Sequence, residues 1–116
     1  MLYLRKFEMK TKKTEPKPEK YFRLKVYDNF DVFDDDKLWY SSRIYNYEEA
    51  VEEAKGMVQG FYNSHHRGRD LKAFMEIYGE IAEDPYIVDE KDDPVGEFRS
   101  YAYARELYIS EAKNNS

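Results

Sequence analysis

Carboxylates crowd one short stretch of this 116-residue sequence. Between positions 28 and 36 the chain carries Asp28, Asn29, Asp31, Asp34, Asp35 and Asp36. Clustered carboxylate oxygens are the ligands that Ca²⁺ and Mg²⁺ prefer. A helix–loop–helix calcium site also needs a central Gly, which is missing here, and the preceding residues have a strand pattern. We therefore predict no metal site but an acidic surface for a basic partner, because crowded like charges are costly until they are neutralised.

Two adjacent histidines form the second candidate. His65 and His66 precede Arg67, Gly68 and Arg69 in a basic run between two helical patterns. On a helix, adjacent side chains diverge by about 100°, so a metal would need a third ligand from elsewhere. The two arginines make a phosphate or carboxylate clamp an alternative. The interpretation that we favour is an exposed linker between helices.

A third group of carboxylates, Glu80, Glu83 and Asp84, has the residue types of an acid–base pair. Asp84 precedes Pro85, however, and this dipeptide favours a turn between two elements. No phosphate-binding loop, dinucleotide fingerprint or G-x-S-x-G motif occurs. The sequence has no Cys, which excludes thiol catalysis and cysteine zinc ligands. We therefore expect no catalytic, cofactor or metal site, and a protein that is not an enzyme.

The strongest structural signal is a helix over residues 46–63. Asn46 is its predicted N-cap, and Glu49 completes a capping-box pattern. Gly56 and Gly60 lie away from the apolar side, either as weak points near the helix end or where another group approaches the backbone. The apolar residues fall within an arc of about 140° on a helical wheel: Tyr47, Ala50, Val51, Ala54, Met57, Val58, Phe61 and Tyr62.

The flanking segments predict an α+β domain in the order β-β-α-α-β-α. We expect three helices packed on one face of a short, mainly antiparallel sheet, with the first two strands forming a hairpin with a long connection. Asp70 and Gly79 are the predicted caps of the second helix. The predicted elements are strands at 21–27, 38–45 and 85–89, and helices at 46–63, 71–78 and 98–112, with a connection at 80–84.

Charge divides the chain into a tail and a domain. Residues 1–20 carry a formal charge of +4 and residues 21–116 a charge of −9. We predict a flexible basic tail at 1–20, one domain at 21–112 and a frayed end at 113–116. No apolar run approaches the roughly 20 residues of a membrane helix, and the first residues do not resemble a signal peptide. We expect a cytoplasmic protein whose acidic domain attracts basic surfaces.

Several segments resemble a group of small bacterial and phage-associated proteins to which no activity is assigned. They are Asp28-Asn29-Phe30, Glu48-Glu49-Ala50, Glu83-Asp84-Pro85-Tyr86-Ile87-Val88, and Tyr101 with Tyr103-Ala104-Arg105. The resemblance spans about residues 21–108. This sequence differs from the group at Ala82, where Gly is usual, and at Tyr101, where Trp is usual. The resemblance implies the placement of strands and helices and no chemistry.

The functional hypothesis is a non-enzymatic interaction module with an acidic, Tyr-rich surface. Its sharper form is a phage-type inhibitor that occupies the basic, nucleic-acid-binding groove of a partner protein. The predicted partner-binding residues are Asp31, Asp34, Asp35, Asp36, Trp39 and Tyr40. One alternative is a nucleic-acid-binding protein that uses the tail, residues 65–69 and stacking Tyr, although the acidic domain disfavours it. A small metal-dependent enzyme and a homodimer are further alternatives.

Overall fold

The computed structural model describes residues 19–31 and 37–114. The observed elements confirm the α+β fold and the predicted order. The acidic residues Asp34, Asp35 and Asp36 and most of the predicted tail lie outside the described residues, as do residues 115 and 116. In chain order the elements are β1 (Phe22–Asp28), a 3-10 turn (Asn29–Asp31), β2 (Trp39–Tyr40), α1 (Tyr47–His65), α2 (Leu71–Ile81), β3 (Glu83–Asp89) and α3 (Ser100–Asn114).

The sheet is antiparallel with β1 at its centre, in the order β2-β1-β3. Alternate side chains of a strand point to opposite faces. Leu24 and Val26 are accordingly buried under the helices, whereas Arg23 and Lys25 lie on the other face. The predicted strand alternation and the pairing of the first two strands are confirmed. The face of the sheet opposite the helices is called the open sheet face below.

The second strand is much shorter than predicted. Regular pairing covers Trp39 and Tyr40, and an isolated bridge joins Phe22 to Ile44. Between them, the Ser41 N–H donates to the Leu24 carbonyl at 2.9 Å, while the Leu24 N–H donates to the Ser41 hydroxyl at 2.9 Å. The hydroxyl takes the place of a backbone acceptor, so the strand pattern over residues 38–45 does not form one continuous strand.

Helix α1 confirms the helix predicted over residues 46–63 and joins two hydrophobic clusters. Its first half places Ala50 and Ala54 against the sheet residues Leu24, Val26 and Ile87. Its second half places Val58 and Tyr62 against α2 and α3. The Asn46 side chain accepts hydrogen bonds from the N–H groups of Glu48 and Glu49, at 2.8 and 3.2 Å. The predicted N-cap is therefore confirmed.

The end of α2 differs from the prediction. Gly79 lies inside the helix, and Ala82, with an extended backbone, is the C-cap. The Tyr78 carbonyl accepts from the Ala82 N–H and from the Asn29 side-chain amide, so no left-handed Gly is needed to end the helix. β3 then begins at Glu83, without the predicted connection at 80–84. The predicted turn at Asp84 and Pro85 is also wrong, because both residues pair with β1.

The connection between β3 and α3 returns along the outer edge of β3. The Val95 N–H donates to the Ile87 carbonyl at 3.0 Å, and Val88 forms a bridge with Pro94. Gly96 follows with φ +76°, a backbone conformation that favours Gly. A Cβ at Gly96 would overlap the Tyr47 side chain. This glycine therefore lets the connection close against the first turn of α1.

A pair of glycine substitutions tests this arrangement. Gly96→Ala should lower the free energy of unfolding by about 1–3 kcal/mol, because the backbone becomes strained and Tyr47 has to move. Gly60→Ala is the matched control, since a Cβ there meets nothing within 4 Å. It should raise the free energy of unfolding by about 0.5–1 kcal/mol through helix propensity. Urea unfolding measures both, and equal effects of the two substitutions would contradict the description.

Candidate functional site

Four exposed glutamates lie in the first two turns of α1. They are Glu48, Glu49, Glu52 and Glu53, called the acidic row below. The ion pairs within the described part of the chain are Lys25–Asp92 and Arg43–Glu19, so none involves the acidic row. Carboxylates at this end of a helix are stabilised by its dipole. The helix dipole offsets part of their mutual repulsion, and their charge is available to a partner.

A groove lies along the second half of α1. Its volume is about 390 Å³. On a helical wheel, Glu49, Glu53, Gly60 and Ser64 fall within an arc of about 60°, so two of the four glutamates share a face of α1 with part of the groove lining. Ile81, at the end of α2, leaves 37% of its surface exposed. The groove, called the helix-side groove, is lined by Met57, Gly60, Phe61, Ser64, His65, Ile81 and Glu83.

Trp39 and Tyr40 are both exposed, but they belong to opposite faces of the sheet. Trp39 lies opposite Val26 and shares its helix-side face, where the indole N–H donates to a Glu83 carboxylate oxygen at 3.2 Å. Trp39 therefore reaches a lining residue of the helix-side groove. Tyr40 lies on the open sheet face, and its hydroxyl donates to Asp92 at 3.0 Å. The structure does not bring these two predicted partner-binding residues into one patch.

The acidic residues 31–36, the main candidate from the sequence, lie mostly outside the described residues. Asp31 ends the 3-10 turn, and its side chain lies outside the described residues together with Asp34, Asp35 and Asp36. The role predicted for these four carboxylates stays a prediction. The four glutamates of the acidic row suit the positive end of the helix dipole, and the sequence analysis did not identify them as a binding surface.

The two histidines pack on aromatic rings of their own helix. The His66 ring stacks on Tyr62 at a centroid distance of 4.2 Å, and its Nδ1–H donates to the Tyr62 carbonyl at 2.8 Å. The His65 ring lies 4.3 Å from that of Phe61. Arg69 donates to the His65 carbonyl at 2.7 Å. The described residues contain no group of three or more His, Asp or Glu that could hold a metal ion.

A buried carboxylate joins three elements. Asp84, in β3, is 7% exposed and accepts hydrogen bonds from the hydroxyls of Tyr78 in α2 and Ser100 in α3. Burial, and then the charge of Asp84, raise the pKa of Tyr78 above its usual range. Glu80 and Glu83 are exposed, so the predicted group of three carboxylates does not share one environment. The Asp84 cluster supports the packing of both helices against β3.

Comparisons of the chain with protein-family models, curated proteins and solved structures give no match. The resemblance to the phage-associated group stays a prediction, but its segments have structural roles. Asp28 pairs with Glu83, and Asn29 holds the end of α2 through the Tyr78 and Ala82 carbonyls. In the part of the chain that the structure describes, no helix is both long and apolar enough to cross a membrane.

The Asp84 cluster predicts a loss of stability at high pH. The unfolded chain loses the Tyr78 proton near pH 10, while the folded chain retains it. The free energy of unfolding should therefore fall as the pH rises above about 10. The hydrogen bond to Asp92 also raises the pKa of Lys25. The contribution of Lys25 to the free energy of unfolding is therefore also lost as the pH rises. Tyr78→Phe should reduce the slope of this fall without removing it.

Urea unfolding of the wild type and of Tyr78→Phe, between pH 8 and 11, measures the difference in slope. Tyr101→Phe, at a tyrosine that is 51% exposed, is the matched control and should retain the wild-type slope. Identical slopes for the wild type and Tyr78→Phe would contradict the buried-phenol explanation.

Proposed function

We propose that this chain is a protein-recognition domain, not an enzyme, that binds a basic amphipathic segment of a partner protein. One observation supports this function above all. Glu49 and Glu53 of the acidic row precede the helix-side groove on the same side of α1. A surface with clustered carboxylates beside a groove of mixed polar and apolar lining complements a segment that carries Lys or Arg next to apolar side chains.

The charge of the acidic row favours a basic partner. Four carboxylates within two turns repel one another, and a basic segment would neutralise them. Such complementarity increases the association rate and selects against acidic partners, and it weakens as salt rises. The net charge of −5 adds a long-range attraction of the same sign.

The helix-side groove favours a partner with apolar anchors. Ile81 and Trp39, which is 42% exposed, present apolar surface, while Met57 and Phe61 form partly buried lining. Interfaces commonly depend on a few apolar side chains that fill such grooves, surrounded by a polar rim. An amphipathic helix meets both requirements, because its apolar side chains recur on one face and its charges flank them.

The proposal keeps the sharper hypothesis of an inhibitor that covers a nucleic-acid-binding groove. Such grooves are lined by Lys and Arg, which the acidic row would engage in place of phosphates. Asp34, Asp35 and Asp36, a few positions before Trp39 in the chain, would add to the same charge. The phage association and the cytoplasmic location stay part of this hypothesis.

Trp39 is the single tryptophan of the sequence, so its fluorescence reports on one end of the proposed surface. The probe is a synthetic helical peptide of Lys and Leu without Trp, with all Leu on one face. A scrambled peptide of the same composition, without an apolar face, is the peptide control. We expect saturable binding of the amphipathic peptide, a shift of Trp39 emission to shorter wavelength, and weaker binding at higher salt.

Charge reversal then locates the binding. The double variant Glu49→Lys with Glu53→Lys should weaken the amphipathic peptide about tenfold at low salt, on the order of 0.5–1 kcal/mol per charge. Glu106→Lys with Glu97→Lys is the matched control, because both residues are exposed outside α1. Equal binding of the amphipathic and scrambled peptides, or equal weakening by the two double variants, would contradict the proposed function.

A further inference from the structure

The open sheet face carries a row of rings and cations that crosses all three strands. Lys25 in β1 lies directly opposite Tyr40 in β2 and Tyr86 in β3. Residues that are directly opposite in an antiparallel pair point to the same face. Arg23 and Tyr27 share this face, since they alternate with the buried Leu24 and Val26. The row lies on the other side of the sheet from α1 and its acidic row.

Contacts between cations and rings hold this face in place. The Arg23 guanidinium lies 4.5 Å from the centre of the Tyr40 ring. The Lys25 ammonium lies 5.7 Å from the Tyr27 ring and 5.8 Å from the Tyr40 ring. Tyr27 and Tyr86 meet edge to face at 5.3 Å. Such contacts fix the orientation of the rings before any ligand arrives.

Internal pairing decides what this face offers to a ligand. The Lys25 ammonium is paired with the Asp92 carboxylate at 3.1 Å. Among the described residues, Arg23 has no carboxylate within 4.0 Å, and its buried Nε lacks a hydrogen-bond partner. Tyr40 and Tyr86 are 37% and 39% exposed. The groups available to a ligand are therefore the Arg23 guanidinium and the Tyr40 and Tyr86 rings. They lie beside a cavity of about 450 Å³ that is bordered by Tyr27, Tyr86 and Asp92.

We propose that the open sheet face binds single-stranded nucleic acid. Bases would stack on Tyr40 and Tyr86, and a phosphate would contact the Arg23 guanidinium. The two rings stand on strands that flank β1, so they are separated by about 10 Å. One base cannot cover both rings, and a strand of several nucleotides is the ligand that uses the whole row. Because every base has an aromatic face, we expect little sequence preference.

An acidic peptide fits this face less well than a nucleic-acid strand. Its carboxylates would have to compete with Asp92 for Lys25, and its Asp and Glu side chains have no aromatic faces to stack on the two rings. The charge of the whole protein, −5, opposes any polyanion, so stacking has to provide most of the affinity. We therefore expect the affinity to depend only weakly on salt. Each phosphate contact with a single strand contributes only about −0.7 to the slope of log K against log salt concentration.

Fluorescence anisotropy with a labelled 12-nucleotide oligo(dT), using the full chain at low salt, tests the proposal. Tyr40→Leu and Tyr86→Leu should each weaken binding about 5- to 100-fold, the range expected for one lost stacking contact. Tyr101→Leu, an exposed tyrosine on α3, is the matched control and should leave binding unchanged. Circular dichroism checks that every variant is folded, and a variant that unfolds is replaced by the corresponding Tyr→Ile.

Competition with a 12-base-pair duplex, with thymidine monophosphate and with a polyglutamate peptide separates the possible ligands. We expect the unlabelled single strand to compete and the other three to compete at least tenfold less well. Stronger competition by polyglutamate or by the duplex would overturn the proposal.

Two further results would also overturn the proposal. The first is no binding of oligo(dT) at low salt. The second is a steep salt dependence that neither Tyr40→Leu nor Tyr86→Leu changes, which would assign the binding to the Lys-rich residues 1–20. Neither result affects the proposed function, because the peptide experiment reads Trp39 and the acidic row on the helix side.

Discussion

The pairing of β1 on both of its edges is the constraint on which the structure depends. β1 pairs with β3 along its whole length and with β2 at Lys25 and Val26, so its register is fixed from both sides. This register sends Leu24 and Val26 under α1 and places Arg23 and Lys25 on the opposite face. A shift by one residue would exchange the two sets and bury the charges. The separation of an acidic helix side from an aromatic, cationic sheet face follows from this strand.

Helix α1 connects the sheet to the other two helices by packing against both. Ala50 and Ala54 lie on the sheet, while Val58 and Tyr62 belong to the cluster that α1 forms with α2 and α3. The Asp84 cluster then ties α2 and α3 to β3 through the Tyr78 and Ser100 hydroxyls. With its inner side fully occupied in this way, α1 presents the acidic row and the helix-side groove outward.

The sequence was sufficient for features that depend on local pattern. The alternation of residues 21–27, the apolar side of α1 and the Asn46 cap all follow from neighbouring residues, and all are confirmed. The ends of β2 and α2 were wrong because distant side chains decide them. The Ser41 hydroxyl replaces a ladder acceptor for Leu24, and Asn29 satisfies a carbonyl of Tyr78. Neither partner can be identified from the residues next to these ends.

The candidate surfaces could be predicted in part only. Clustered glutamates and exposed aromatic residues were visible in the sequence, but their grouping depends on strand register. Trp39 and Tyr40 are neighbours in the chain and lie on opposite faces, whereas Tyr40 and Tyr86 are distant in the chain and flank the same Lys25. The alternation of side chains along a strand is enough to place Trp39 and Tyr40 on opposite faces. The second pairing requires the β1–β3 register, which no local pattern encodes.

Mapping of backbone amide chemical shifts by NMR, with the basic amphipathic peptide and with oligo(dT) in separate titrations, tests the separation of two surfaces most directly. The account predicts that the peptide shifts amides of α1 and of the end of α2, while the oligonucleotide shifts amides of β1, β2 and β3 around Lys25. Shifts from both ligands on the same set of residues, or shifts from the peptide confined to the sheet, would contradict it.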